Sequence, residues 1–175
     1  MLKGRSSFSR CGNYRWRLER KINQSDTELV FIGLNPSIAS SKVDDNTIVR
    51  LHHLSDYWGY GKLIVVNLFA QVSSKASTLK DFDNPIGNRN NFYLLRELSF
   101  WSKNLKIDLC VGWGANGSFM NRDSYVLKKM KSFYTSRFHN IQKANPPFML
   151  GLNKDGSPKH PLYLPSDTLL KVFYI

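Results

Sequence analysis

Asn35 and Asn67 each stand where an apolar run ends. Leu29-Val30-Phe31-Ile32-Gly33-Leu34 leads into Asn35-Pro36-Ser37, and Lys62-Leu63-Ile64-Val65-Val66 leads into Asn67-Leu68-Phe69. Such β-branched runs read as buried strands, and open α/β sheets bind ligands outside the carboxyl ends of their strands. Two amides delivered there, each able to donate and to accept, point to one shared polar site. His160 is the third candidate. It lies in Lys159-His160-Pro161-Leu162-Tyr163-Leu164-Pro165, a proline-fixed turn that restricts its backbone and would hold the ring in place. If the last strand opens onto the same crevice, His160 joins the two asparagines as a catalytic or hydrogen-bonding group.

Other chemistries have weaker claims. Gly112-x-Gly114-x-x-Gly117 has dinucleotide-fingerprint spacing after an apolar run. However, it belongs to the third strand of the unit, holds Trp113 beside the close approach, and lacks an acidic residue about 20 positions on. A tight strand-to-helix turn explains it better. His52, His53, His139 and His160 have no partners at ligand spacing, so no metal is expected. No Gly-x-Ser-x-Gly elbow presents a serine nucleophile.

The positioning elements alternate. Residues 13–22 read as a half-exposed edge strand, with Tyr14, Trp16 and Leu18 on one face and Arg15, Arg17 and Glu19 on the other. After the strand through Leu34 come a polar loop over 37–43 and Asp44-Asp45 opening a helix, with Ile48, Leu51, His52 and Ser55 on one stripe and a stop at Gly59. The strand 62–69, a polar loop over 71–88 and a second helix to about Lys103 follow, with Phe92, Leu95, Leu98 and Trp101 facing inward. The strand 107–113 then leads to a third helix ending near Lys128-Lys129-Met130-Lys131. This pattern predicts a single α/β domain over 1–175, a basic edge segment (1–24) on an α/β core (25–175), built as a three-layer α/β/α sandwich around a mainly parallel sheet.

Composition bounds the function. The chain has 175 residues and two cysteines, Cys11 and Cys110, too few for a disulfide framework. No apolar segment approaches a membrane span and the start has no apolar leader, so a cytoplasmic, soluble protein is expected. No cofactor is expected, and the oligomeric state is left open, with a monomer favoured. Its 25 Lys and Arg against 13 Asp and Glu give a net charge of +12. The excess lies in residues 1–24 (Lys3, Arg5, Arg10, Arg15, Arg17, Arg20 and Lys21 against Glu19) and again over 128–175. If the two ends meet on one face, they form a phosphate-attracting surface, and the aromatics in Tyr14-Arg15-Trp16-Arg17 suit nucleic acid.

Gly33-Leu34-Asn35-Pro36-Ser37, Asp44-Asp45-x-Thr47, Trp58-Gly59-Tyr60-Gly61, Val66-Asn67-Leu68-Phe69, Trp113-Gly114 and His160-Pro161-Leu162-Tyr163-Leu164-Pro165 resemble an uncharacterised family of small bacterial and phage proteins. More distantly, Gly-x-Asn-Pro, an Asn at a strand end and His-Pro-x-x-Leu resemble the uracil-DNA glycosylase superfamily, especially its mismatch-specific branch. That resemblance implies the same fold and hydrolysis of an N-glycosidic bond at an altered or mispaired base in DNA. Asn35 would hold the attacking water within Gly33-Leu34-Asn35-Pro36. Asn67 would read the base edge, and His160 would stabilise the departing base. Leu162, Tyr163 or Leu164 would enter the duplex. Independently of the resemblance, the basic ends offer Arg15, Arg17 and Lys159 as phosphate contacts.

Two departures stand out. No aromatic follows the first motif to stack on the base, so Tyr57, Trp58 or Tyr60 would have to substitute, and Leu162 replaces the expected Ser after His-Pro. Asp45, with Asp44, either caps a helix, assists the water or holds a cationic ligand. The alternative function is a nucleic-acid- or nucleotide-binding protein that does not hydrolyse.

Overall fold

The computed structural model describes residues 4–37 and 44–175; most of the polar loop expected over 37–43, and Lys3, lie outside the described residues. Strands β1 (Gly4–Phe8), β2 (Arg15–Lys21), β3 (Glu28–Gly33), β4 (Lys62–Asn67), β5 (Ile107–Val111), β6 (Phe148–Met149) and β7 (Lys171–Val172) form one sheet ordered β1-β2-β4-β3-β5-β6-β7. Within it, β4, β3, β5 and β6 are parallel, while β1, β2 and β7 pair antiparallel at the sides. The sheet is therefore mixed rather than mainly parallel. The added strands are β1 and β7, short polar or weakly apolar segments with no alternation to announce them.

Helix α1 (Asn46–Tyr57) covers one face, where Ile48 and Leu51 pack on Leu29, Phe31 and Leu63. Helices α2 (Asn90–Lys103) and α3 (Arg122–Asn140) cover the other, where Leu94, Leu98, Trp101, Val126 and Met130 pack on Val30, Ile32, Val66 and Leu109. Burial on both faces is why β3, β4 and β5 are apolar without alternation. Each Leu or Ile buried this way stabilises the fold by about 1.5–3 kcal/mol.

Two helix expectations need correction. The inward stripe of α2 is Leu94, Leu98 and Trp101, with Leu95 partly buried against the same core; Phe92 is exposed, with Arg96 over its ring. Helix α3 continues past Lys131 to Asn140 because Arg137, fully buried, ties its end down. The Arg137 guanidinium donates to the carbonyls of Trp101, Asn104, Ile107 and Asn145, and so caps the end of α2.

The N-terminal strand also differs. β2 is not an edge, since β1 pairs outside it, and its side chains do not keep a two-residue alternation. Ser7 pairs with Arg17 and Phe8 with Arg15, which leaves Trp16 as the extra residue of a β-bulge. Beyond the bulge the faces exchange. Trp16 stacks between Tyr14 and Tyr93 on the α2 side, and Arg17 reaches Glu97 of α2 at 2.9 Å. Arg15 turns to the α1 side and is 2 % exposed.

From β3 the chain crosses through α1 to β4 on one side of β3; from β4 it crosses through α2 to β5 on the other side. The carboxyl ends of β3 and β5 thus flank the point where the winding reverses, which is where doubly wound sheets open a crevice.

Candidate functional site

A cleft of about 560 Å³ opens at that point. Asn35 and Ser37 line it from the end of β3, Trp113, Gly114 and Asn116 from the end of β5, and Ser73 from the loop after β4. Lys159, His160, Leu162, Tyr163 and Leu164 close it from the opposite side, with Asn153. Behind it lies a chamber of about 30 Å³ lined by Arg15, Gly33, Asp45 and Asn67. Leu34, Asn35, Ser37, Thr47 and His160 border both spaces. The chamber has room for one water-sized group.

Asn35 is held by its amide nitrogen, which donates to the carbonyls of Pro36 at 3.0 Å and Ser73 at 2.9 Å. Pro36 O also accepts from the Ser73 N–H at 2.9 Å, so this clamp joins the loops after β3 and β4. The Asn35 oxygen takes no donor among the described residues.

Asn67 is 4 % exposed and its side chain makes no hydrogen bond to any described residue. It lies beside Gly33 in the β3–β4 register, and a Cβ at residue 33 would come within 2.7 Å of Asn67 Oδ1. The glycine of Gly-Leu-Asn-Pro therefore makes room for the second amide. Asn67 is fixed from behind, because its carbonyl accepts from buried Asn90 at 3.0 Å, and the next carbonyl, of Leu68, accepts from Asn90 at 2.8 Å and Arg122 at 2.7 Å.

His160 is brought over the end of β5 by main-chain bonds: Gly114 N–H donates to Pro158 O and Lys159 N–H to Gly151 O, both at 2.9 Å. The Nδ1 of His160 accepts from the Leu162 N–H at 3.3 Å, which puts the proton of the neutral ring on Nε2. Burial holds the imidazole below its ordinary range, with the Asp45 carboxylate pulling the other way.

Asp45 caps α1, its Oδ1 accepting from Ile48 N–H at 2.9 Å, and its carboxylate also faces Arg15. Burial pushes the Arg15 guanidinium down to about 10; Asp45 opposes that shift, Arg20 adds to it and Asp44 opposes it. Asp44 itself is taken by Arg20, Nη2 to Oδ1 at 2.6 Å and Nε at 2.9 Å. Of the two aspartates only Asp45 reaches the chamber.

Several expected site residues lie elsewhere. Tyr60 cannot stack on a ligand in the cleft. Helix α1 returns the chain to the amino ends of the strands, where Gly61 N–H bonds Thr27 O and the Tyr60 hydroxyl donates to Asp108 at 2.8 Å. Tyr57 and Trp58 share that end; the aromatics of the cleft are Trp113 and Tyr163. Neither Arg15 nor Arg17 is a surface cation for DNA, since one is buried and the other is paired with Glu19 and Glu97. The basic ends do not meet on one face either, because β1–β2 and β6–β7 occupy opposite edges of the sheet.

The glycines at 112, 114 and 117 serve packing. A Cβ at 112 would meet the Phe31 ring at 2.6 Å, one at 117 would meet the Trp113 indole at 2.2 Å, and Gly114 has φ +72°. A kinked 3₁₀ segment (Ala115–Asn121), rather than an α-helix, follows them. Among the described residues no three His, Cys, Asp or Glu side chains converge as a metal site requires, and no helix is long and apolar enough to cross a membrane.

A family described as a protein of unknown function, DUF1643, matches residues 15–162. The chain belongs to the DUF1643 family. The matched span begins at Arg15 and contains every residue lining the two spaces except Tyr163 and Leu164. No curated protein and no solved structure matches the chain.

Proposed function

We propose that the cleft takes a nucleobase and that this DUF1643 protein is a hydrolase of N-glycosidic bonds, of the uracil-DNA glycosylase type. The observation that carries this reading is the meeting of Asn35 and His160, from distant parts of the chain, in one cleft at the switch point of the sheet. In the reaction the bond between the sugar C1′ and the base nitrogen breaks, the electron pair leaves with the base, and a water oxygen bonds to C1′. The Asn35 oxygen, which takes no donor among the described residues, suits holding that water, and the Asp45 carboxylate behind it suits taking its proton. Neutral His160 donates from Nε2 to an exocyclic keto oxygen of the base, which gains negative charge as the base departs, a fixed dipole aimed at developing charge. Tyr163, 86 % exposed at the mouth, suits contact with an opened strand.

Base release from end-labelled oligonucleotides carrying uracil, mismatched thymine, hypoxanthine or an alkylated base tests this under single-turnover conditions. Release that is lost in His160→Ala is the expected result. Binding of those oligonucleotides with no release from any of them overturns hydrolysis.

One observation favours a second reading, binding without hydrolysis. The Asn35 amide nitrogen is consumed by two carbonyls, so the residue serves the loop clamp as well as the cleft.

A further inference from the structure

Among the described residues, Arg15 is the one charged side chain of the chamber that is both buried and short of a partner. It is 2 % exposed, its Nη1 has no hydrogen-bond partner among the described residues, and it lines the space with Asn67 and Asp45. No Arg15–Asp45 ion pair closes within 4 Å, although both border the same chamber. Leaving a buried donor unsatisfied costs on the order of 1–3 kcal/mol, so such a group marks a place where something else is accommodated. A guanidinium carries only donors.

Resting on the reading of the cleft as a nucleobase site, we propose that Arg15 determines its specificity: a single keto oxygen on the ring edge enters the chamber and accepts from Arg15 Nη1. The chamber size limits the entering group to about one oxygen, which excludes a phosphate. A ring edge presenting an amino group meets a donor with a donor and is refused. The Asn67 amide beside it adjusts to the neighbouring ring nitrogen, while Asp45 keeps the guanidinium charged. The Arg15 main chain is anchored beside the chamber, its own N–H bonding Ala70 O at 2.9 Å.

Calorimetric titration of the full chain with free uracil and with free cytosine, repeated with uracil- and cytosine-containing oligonucleotides, tests the assignment without reference to turnover. Wild type is expected to bind uracil at least tenfold more tightly than cytosine, about 1.4 kcal/mol of discrimination. Arg15→Met fills the same space without charge, and is expected to lose that gap while melting within a few degrees of wild type; Arg15→Lys retains part of it. Discrimination seen only with oligonucleotides assigns the site to a flipped nucleotide, and with free bases too, to the base itself. Unchanged discrimination in a folded Arg15→Met, or no uracil binding by wild type in either form, overturns the proposal. Base release that persists undiminished in Arg15→Met removes the role of Arg15 and leaves hydrolysis standing. Arg15-dependent binding without release does the reverse.

Discussion

Arg15 and Arg17 lie two residues apart on β2 and point to opposite faces of the sheet, one into the chamber beneath α1 and the other onto Glu97 of α2 at 2.9 Å. The bulge at Trp16 separates them. Arg17 is therefore structural. Glu97 is 2 % exposed and depends on Arg17 and Arg96 for its counter-charge. Arg17→Met is expected to destabilise the fold by about 1–3 kcal/mol, because a buried carboxylate loses a donor. Urea denaturation measures it, and ligand binding in the cleft should be unchanged. An unaltered midpoint would mean that Arg96 suffices.

Asn35→Asp separates the clamp from the cleft. The substitution keeps the oxygen that faces the cleft and replaces the amide nitrogen between two carbonyls with a second oxygen. Loss of both hydrogen bonds and the new lone-pair repulsion are expected to cost about 2 kcal/mol at neutral pH. Thermal melting should show the loss. A melt like that of wild type would show that the loops after β3 and β4 hold together without the clamp.

Acid should loosen the turn that carries His160. Its folded-state pKa is lowered by burial, so the folded protein binds this proton less readily than the unfolded chain, which titrates near the ordinary 6.5. The stabilisation is complete above that value and is lost as pH falls through the folded value. Protonation also places a hydrogen on Nδ1, which can no longer accept from Leu162 N–H. The expected outcome is a drop in melting temperature below about pH 6.5 that is smaller in His160→Gln. A chemical-shift change at the Leu162 amide should follow the same titration. His52, whose pKa burial and His53 lower while Asp56 and other neighbours raise it, sets a background that both proteins share.

These residues also show what was legible in the sequence. Asn35, Asn67 and His160 could be singled out because continuous apolar runs and a proline-bounded turn mark strand ends and fixed loops, and both signals are local. The α/β class and the three helices followed from periodicity. The face of Arg15 did not, because a bulge is set by pairing with β1, a strand the pattern left unseen. Tyr60 was misplaced for a related reason. Standing as an aromatic after the first motif says nothing about which end of the sheet a helix returns to, and here it is the amino end. Asn90 and Arg122, which pin the end of β4 from buried positions, carried no signal beyond being polar residues near helix starts.

Gly33→Ala probes whether the chamber matters to binding. Residue 33 lies in extended backbone, so an alanine brings no conformational strain, only a Cβ within 2.7 Å of Asn67 Oδ1. The Asn67 amide must shift by several tenths of an ångström. Uracil affinity is expected to fall about tenfold or more, with stability changing by only about 1 kcal/mol. Equal affinity in wild type and variant would show that Asn67 does not contact the ligand.

Any association with DNA should centre on the mouth of the cleft rather than on the basic ends as a whole. β1–β2 and β6–β7 lie at opposite edges, and Arg15, Arg17 and Arg20 are committed inside the fold or to acidic partners. Lys159 lines the cleft and has no acidic partner among the described residues. Each lysine on a phosphate contributes about 0.9 to the slope of log affinity against log salt for duplex DNA, so Lys159→Ala should lower that slope by about one. Tyr163→Ala removes an exposed aromatic and should weaken binding with little effect on the slope, since stacking releases no counterions. Fluorescence anisotropy across a salt series separates the two. A slope unchanged in Lys159→Ala would move the phosphate path away from the cleft and with it the case for a flipped base.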